Sequence, residues 1–279
     1  MRRISFVAAL AAVAAVSPLS AQTWQAIGTP SNSGTGAYWN NVSDDNVGRA
    51  VCNVGAILTN TPALAASSCS SQNPVYLPLT PAKLTTSQFF LGGGSPANGS
   101  NPGGFGFSCA GFCSVNLLGR IAGTTSTNWG VVTSSGSVIT AAQLLSGTSV
   151  SGTFAVWITQ ALPAAGAGTV YTSGQSTFAG GSFSASPNQQ FAVFSATAAS
   201  TSAGVFGTII NVGSGTFYVG MEDNVNGGRG FGSAGPGQVS DRDYQDILVS
   251  IQAVPEPATV GLMGFGLLAL AGVAKRRKA

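Results

Sequence analysis

The run Thr153-Phe154-Ala155-Val156-Trp157-Ile158-Thr159-Gln160 decides the fold. Phe154, Val156 and Ile158 alternate with Ala155, Trp157 and Thr159. Successive side chains of a strand point to opposite faces, so this period of two predicts a strand with one strongly apolar face. β-Branched and aromatic residues also suit a pleated, half-buried surface. A helix would need apolar residues every three or four positions, and no long stretch between Gln22 and Ala253 has them.

Working outward, similar short runs recur, separated by Gly, Ser and Pro. They are Trp129–Thr133, Ser137–Thr140, Thr169–Thr172, Ser176–Phe183, Gln190–Ala196, Val205–Val212, Thr216–Met221 and Asp246–Gln252. Strands at this spacing predict an all-β body, a β-sandwich or jelly roll. One short helix is expected, over Ala141–Leu145. Upstream, Pro62, Pro74, Pro78 and Pro81 punctuate residues 22–120. The Gly/Pro/Asn/Ser-rich stretch Leu91–Gly106 reads as a long exposed loop, or as a linker between two domains.

Composition narrows the chemistry. Only 7% of the 279 residues are charged and none is histidine, against roughly 25% charged in an average soluble protein. Without histidine there is no Ser-His-Asp triad, no Cys-His pair and no imidazole metal ligand. Eleven basic residues against eight acidic ones cannot build a large nucleic-acid surface, so no nucleic-acid partner is expected. No catalytic residues are assigned, and the chain is not expected to be an enzyme.

The two ends carry addresses. Arg2 and Arg3, the apolar run Ile4–Val16, Pro18 and small residues up to Ala21 read as a secretory signal, Met1–Ala21, with Gln22 as the mature start. At the other end Val254-Pro255-Glu256-Pro257 precedes seventeen uncharged residues, Ala258–Ala274, and then Lys275-Arg276-Arg277-Lys278. Seventeen residues at ~1.5 Å each make about 25 Å of helix, the short limit of a membrane span. The basic cluster should stay cytoplasmic and leave the body outside.

This order of elements resembles the PEP-CTERM sorting signal of bacteria that make extracellular polysaccharide. The resemblance implies that a membrane exosortase recognises Pro255, Glu256 and Pro257 and cleaves nearby, which makes the C-terminal helix a transient membrane anchor. With both ends set aside, residues 22–254 hold five basic and seven acidic residues, a net charge of −2 rather than +3. The basic pI therefore belongs to the sorting signals.

Four cysteines, Cys52, Cys69, Cys109 and Cys113, sit in an exported chain, where disulfides persist. Three pairings are open. Cys52–Cys69 with Cys109–Cys113 is favoured because each closes a local loop. A four-cysteine zinc site is the competing reading, but Cys52 and Cys69 lack paired spacing.

Five of the body's seven acids fall within 25 positions: Glu222, Asp223, Asp241, Asp243 and Asp246. A Gly-rich loop joins the two groups and each abuts an expected strand, so strand pairing would bring the carboxylates together. Clustered carboxylates repel unless a cation or arginine is present. Ca²⁺ takes six to eight oxygens from irregular loops, so these five residues are candidate Ca²⁺ ligands, with Asn224 as a carbonyl helper. Arg229 and Arg242 as ion-pair partners, Asx-turns and a solvated loop are the plainer readings. A glycosidase-like carboxylate pair would need a facing cleft, for which the sequence offers no argument.

Glu222-Asp223 and Asp241-Arg242-Asp243-Tyr244-Gln245-Asp246 also resemble the acidic motif of DUF4114-type domains in bacterial surface proteins. Met221 and Gln245 replace the usual Phe and Asn. The resemblance implies a β-rich extracellular module. Trp24, Trp39, Trp129 and Trp157, with Tyr38, could form a sugar-stacking platform, although Trp157 in its alternating strand reads as core.

The resulting expectation is an exported, exosortase-processed surface or extracellular-matrix protein. Its role would be structural or interactive, in contact with extracellular polysaccharide. A carbohydrate-binding module is the alternative, and a secreted hydrolase a distant third.

Overall fold

The computed structural model describes residues 24–26, 54–59, 84, 88–92, 104–120, 128–159, 170–174, 183–185, 190–213, 215–222 and 246–254. The signal Met1–Ala21, the C-terminal segment 255–279, Cys52, Cys69, Trp39 and most of the acidic loop lie outside these residues.

The deciding run forms β6 (Val150–Thr159), which pairs antiparallel with β4 (Trp129–Thr133) on one side. Phe154, Val156 and Ile158 enter the main core. Ala155 and Trp157 are buried too, in a second cluster with Val132, Phe183, Phe206 and Ile209. Both faces of β6 are therefore covered, where the alternation alone promised one. Trp157 is 6% exposed and its indole Nε1–H donates to the Val131 carbonyl at 3.1 Å, so the core reading of this residue is correct.

Around β6 the chain is mostly β-structure, hydrogen-bonded into one open, largely antiparallel sheet. The path runs β1 (Gln25–Ala26), β2 (Gln88–Gly92), β9 (Phe191–Ser195), β12 (Thr216–Met221), β13 (Ile247–Val254), β3 (Phe105–Arg120), β6, β4 and β5 (Val138–Thr140). The pairs β10 (Thr201–Gly204) with β11 (Gly207–Asn211), and β7 (Val170–Thr172) with β8 (Ser184–Ala185), join from the side. Helix α2 (Ala141–Leu145) lies where the sequence places it, and Gln143 Oε1 accepts the Thr140 N–H at 2.9 Å as half of a capping box. Helix α1 (Val54–Thr59), which the sequence reading lacks, is tied by the Leu84 N–H donating to the Leu58 carbonyl. Among the described residues no helix is long and apolar enough to cross a membrane.

β3 organises the molecule. Its first residues pair with β6 (Phe107 opposite Phe154) and, in parallel, with β11 (Phe105 opposite Thr208). From Phe112 onward it pairs with β13 instead, ending with Arg120 opposite Ile247. The exposed residues Ala110, Gly111 and Phe112 mark the change of neighbours. Side chains from both halves then meet in one core. Phe107 stacks on Phe154 with ring centroids 5.7 Å apart, and lies 6.3 Å from Phe217 of β12.

One boundary needs correction here. The stretch Leu91–Gly106 is not loop at its ends: Leu91 and Gly92 belong to β2, and Phe105 and Gly106 to β3. The described parts of residues 22–120 join the common sheet through β1, β2 and β3.

Candidate functional site

The two described members of the acidic cluster, Glu222 and Asp246, lie at one end of the β12–β13 pair. Six residue pairs hold this pair in register, from Thr216 opposite Gln252 to Met221 opposite Ile247. Glu222 directly follows this ladder on β12 and Asp246 directly precedes it on β13. The two strands that the acidic groups abut therefore pair, as the sequence expectation requires. Asp223, Asp241 and Asp243 lie outside the described residues.

Glu222 is fully buried. Its backbone is clamped by Gln190, which precedes β9: the Glu222 N–H donates to the Gln190 carbonyl at 2.9 Å, and Gln190 Nε2 donates to the Glu222 carbonyl at 3.1 Å. Gln190 is fully buried as well, and its Oε1 has no hydrogen-bond partner among the described residues. A buried amide oxygen left in this state carries a desolvation cost. Gln190 is absent from the sequence-derived ligand set, since it lies 32 residues upstream of Glu222 and arrives only through the β9–β12 pairing. Among the described residues no group of three or more His, Cys, Asp or Glu side chains forms a metal-holding cluster. On the same strand, burial raises the Tyr218 hydroxyl pKa above its usual value near 10.0.

Charge is unevenly placed. The described residues include three charged side chains, Arg120, Glu222 and Asp246. All three lie at this same end, because Arg120 stands opposite Ile247 on the other flank of β13.

The cysteines divide. Cys109 and Cys113 are joined across the β3 bend, with Cα atoms 6.1 Å apart, as the local pairing predicts. Both are buried in the core. The Cys52–Cys69 half lies outside the described residues.

A cleft of about 470 Å³ opens beside α2, lined by Trp129, Trp157, Val138, Val170, Phe183 and Ala141, with Asn128, Thr140 and Thr159 supplying polar atoms. Trp129 and Trp157 are only 3% and 6% exposed, so they do not present the open ring faces of a stacking platform. Thr159 Oγ1 already accepts the Asn128 N–H at 2.7 Å. Trp24 packs against Phe217 with centroids 6.3 Å apart.

Residues 253–278 match the family model of the PEP-CTERM protein-sorting motif. The match begins inside β13, whose last two residues are Ala253 and Val254. A motif of this kind marks an exported protein that is anchored at its C-terminus and processed by exosortase. No curated protein and no solved structure matches the chain. The likeness of the acidic segment to DUF4114-type domains has no support from these comparisons.

Proposed function

We propose that the chain is a surface or extracellular-matrix protein whose all-β body acts as a rigid, non-catalytic module in contact with extracellular polysaccharide. Its sheet, with both halves sharing one core, would serve as a β-sandwich. The observation that carries this reading is the sorting motif joined directly to the last strand of the body. Pro255, Glu256 and Pro257 would be read by exosortase, Ala258–Ala274 would span the membrane, and Lys275–Lys278 would hold the cytoplasmic side. Cell fractionation tests it. Deleting Pro255–Ala279 should release the body into the medium, whereas membrane retention of the truncated chain would overturn the anchor.

The acidic end would hold Ca²⁺, with Glu222, Asp223, Asp241, Asp243 and Asp246 as ligands and Gln190 Oε1 as an added amide oxygen. The buried, unpartnered Gln190 oxygen beside Glu222 supports this reading, because Ca²⁺ accepts amide and carboxylate oxygens together. A ligand bound only by the folded state at a hundred times its Kd stabilises by about 2.7 kcal/mol. At roughly 2–4 °C per kcal/mol, millimolar Ca²⁺ should raise the melting temperature by about 5–10 °C over EDTA. No shift would remove the metal from the proposal.

A further inference from the structure

β13 enters the sorting motif with no linker, since Ala253 and Val254 belong to both. Val254 pairs with Phe112 across the β13–β3 ladder, which puts the two side chains on one face. Both are open to solvent, Phe112 by 59% and Val254 by 39%. The exposure of Phe112 is built in. Cys113, the next residue, is 0% exposed and tied to Cys109. Successive strand side chains alternate in direction, so a core-facing Cys113 turns Phe112 outward.

The neighbours of Phe112 on the bend, Ala110 and Gly111, are exposed and uncharged. Every charged side chain among the described residues lies at the opposite end of the same strands: Arg120, Glu222 and Asp246. Asp246 and Val254 are eight residues apart on an extended strand, about 27 Å at ~3.4 Å per residue. Among the described residues, charge therefore lies at one end of β13 and the exposed apolar pair at the other.

The tether is short. Three residues, Pro255 to Pro257, separate Val254 from Ala258, the first residue of the uncharged run, and the four steps between them reach at most ~14 Å when extended. A body held that closely must turn the Val254 end towards whatever holds the run. Aromatic and aliphatic side chains are favoured at the boundary between headgroups and acyl chains, and acidic ones are disfavoured near an anionic surface.

We propose that the Phe112–Val254 tip rests on the lipid headgroup layer while the C-terminal segment is attached, docking the body with its acidic end pointing away. This rests on the membrane-anchor reading above. Cleavage then frees the tip together with the tether.

The test places a photoreactive p-benzoylphenylalanine at position 112 of the full chain. The chain is reconstituted in vesicles of phosphatidylethanolamine and phosphatidylglycerol and irradiated. A second chain carries the probe at Leu118, about 20 Å further along β3 at ~3.4 Å per residue. The expected result is a lipid adduct at position 112, found by mass spectrometry, and little at 118. Sedimentation with the vesicles is measured in the same samples. Equal labelling at both positions, or none at 112 in chains that sediment, overturns the docking while leaving the anchor standing. Chains that fail to sediment overturn the anchor and the docking together.

Discussion

At Gly130 the chain has no room for a methyl group. A Cβ there would collide with the Ile139 carbonyl oxygen of β5 and would lie 2.7 Å from the Trp157 ring. Trp157 reaches across β4 to donate to Val131, so its indole lies over the bare glycine. Backbone on one side and a hydrogen-bonded ring on the other leave little freedom to adjust. Overpacking of this kind costs about 1–3 kcal/mol. Gly130→Ala should lower the melting temperature by roughly 2–12 °C at 2–4 °C per kcal/mol in a body of this size. The loss of near-ultraviolet signal from Trp157 checks it, against the exposed Gly111→Ala, where a Cβ meets nothing within 4 Å. This constraint was not legible in the sequence. Gly130 falls there within the expected strand Trp129–Thr133 with no role of its own, and only the tertiary placement of Trp157 explains it. The pairing of the strands that Glu222 and Asp246 border was legible, because each acid abuts an apolar run with strand character. Gln190 was not, since a lone glutamine before a strand carries no signal until β9 lies beside β12.

At the scale of elements, β4, β12 and α2 follow the local pattern to the residue: Trp129–Thr133, Thr216–Met221 and Ala141–Leu145. β3 does not. No strand is expected from the sequence over its start, Phe105-Gly106-Phe107-Ser108-Cys109-Ala110-Gly111-Phe112, and the loop reading of Leu91–Gly106 takes in its first two residues. This start is strand because β6 and β11 flank it and supply partners on both edges. Gly106 is needed there, since a Cβ would lie 2.8 Å from the Phe206 ring. The Cys109–Cys113 bridge then holds the bend where β3 exchanges neighbours. In the chain-entropy account, closing a loop this short stabilises by about 2 kcal/mol. The double variant Cys109→Ala/Cys113→Ala should therefore melt about 4–8 °C lower. Thermal denaturation under non-reducing conditions checks this. An unchanged melting temperature would mean that strand pairing alone holds the bend.

For the whole molecule, the central question is whether the two halves of the sheet fold as one unit. Phe107 belongs to the half that pairs with β6, yet it lies 6.3 Å from Phe217 on β12, in the half built on β13. Phe217 in turn touches Trp24, near the start of the body. The same core holds Val131 and Val156 from one half with Val193, Val219 and Val249 from the other. Core side chains so shared cannot be exposed in one half alone, so unfolding should be all-or-none. Phe107→Ala removes a fully buried ring at this junction, at a cost of about 3–5 kcal/mol. The melting temperature should fall by about 6–20 °C at 2–4 °C per kcal/mol. Far-ultraviolet signal, which reports all strands, and tryptophan fluorescence should keep a common midpoint. If the two probes separate in the variant, the halves are independent units joined only through β3. The Phe107–Phe217 contact would then be packing between domains rather than the centre of one.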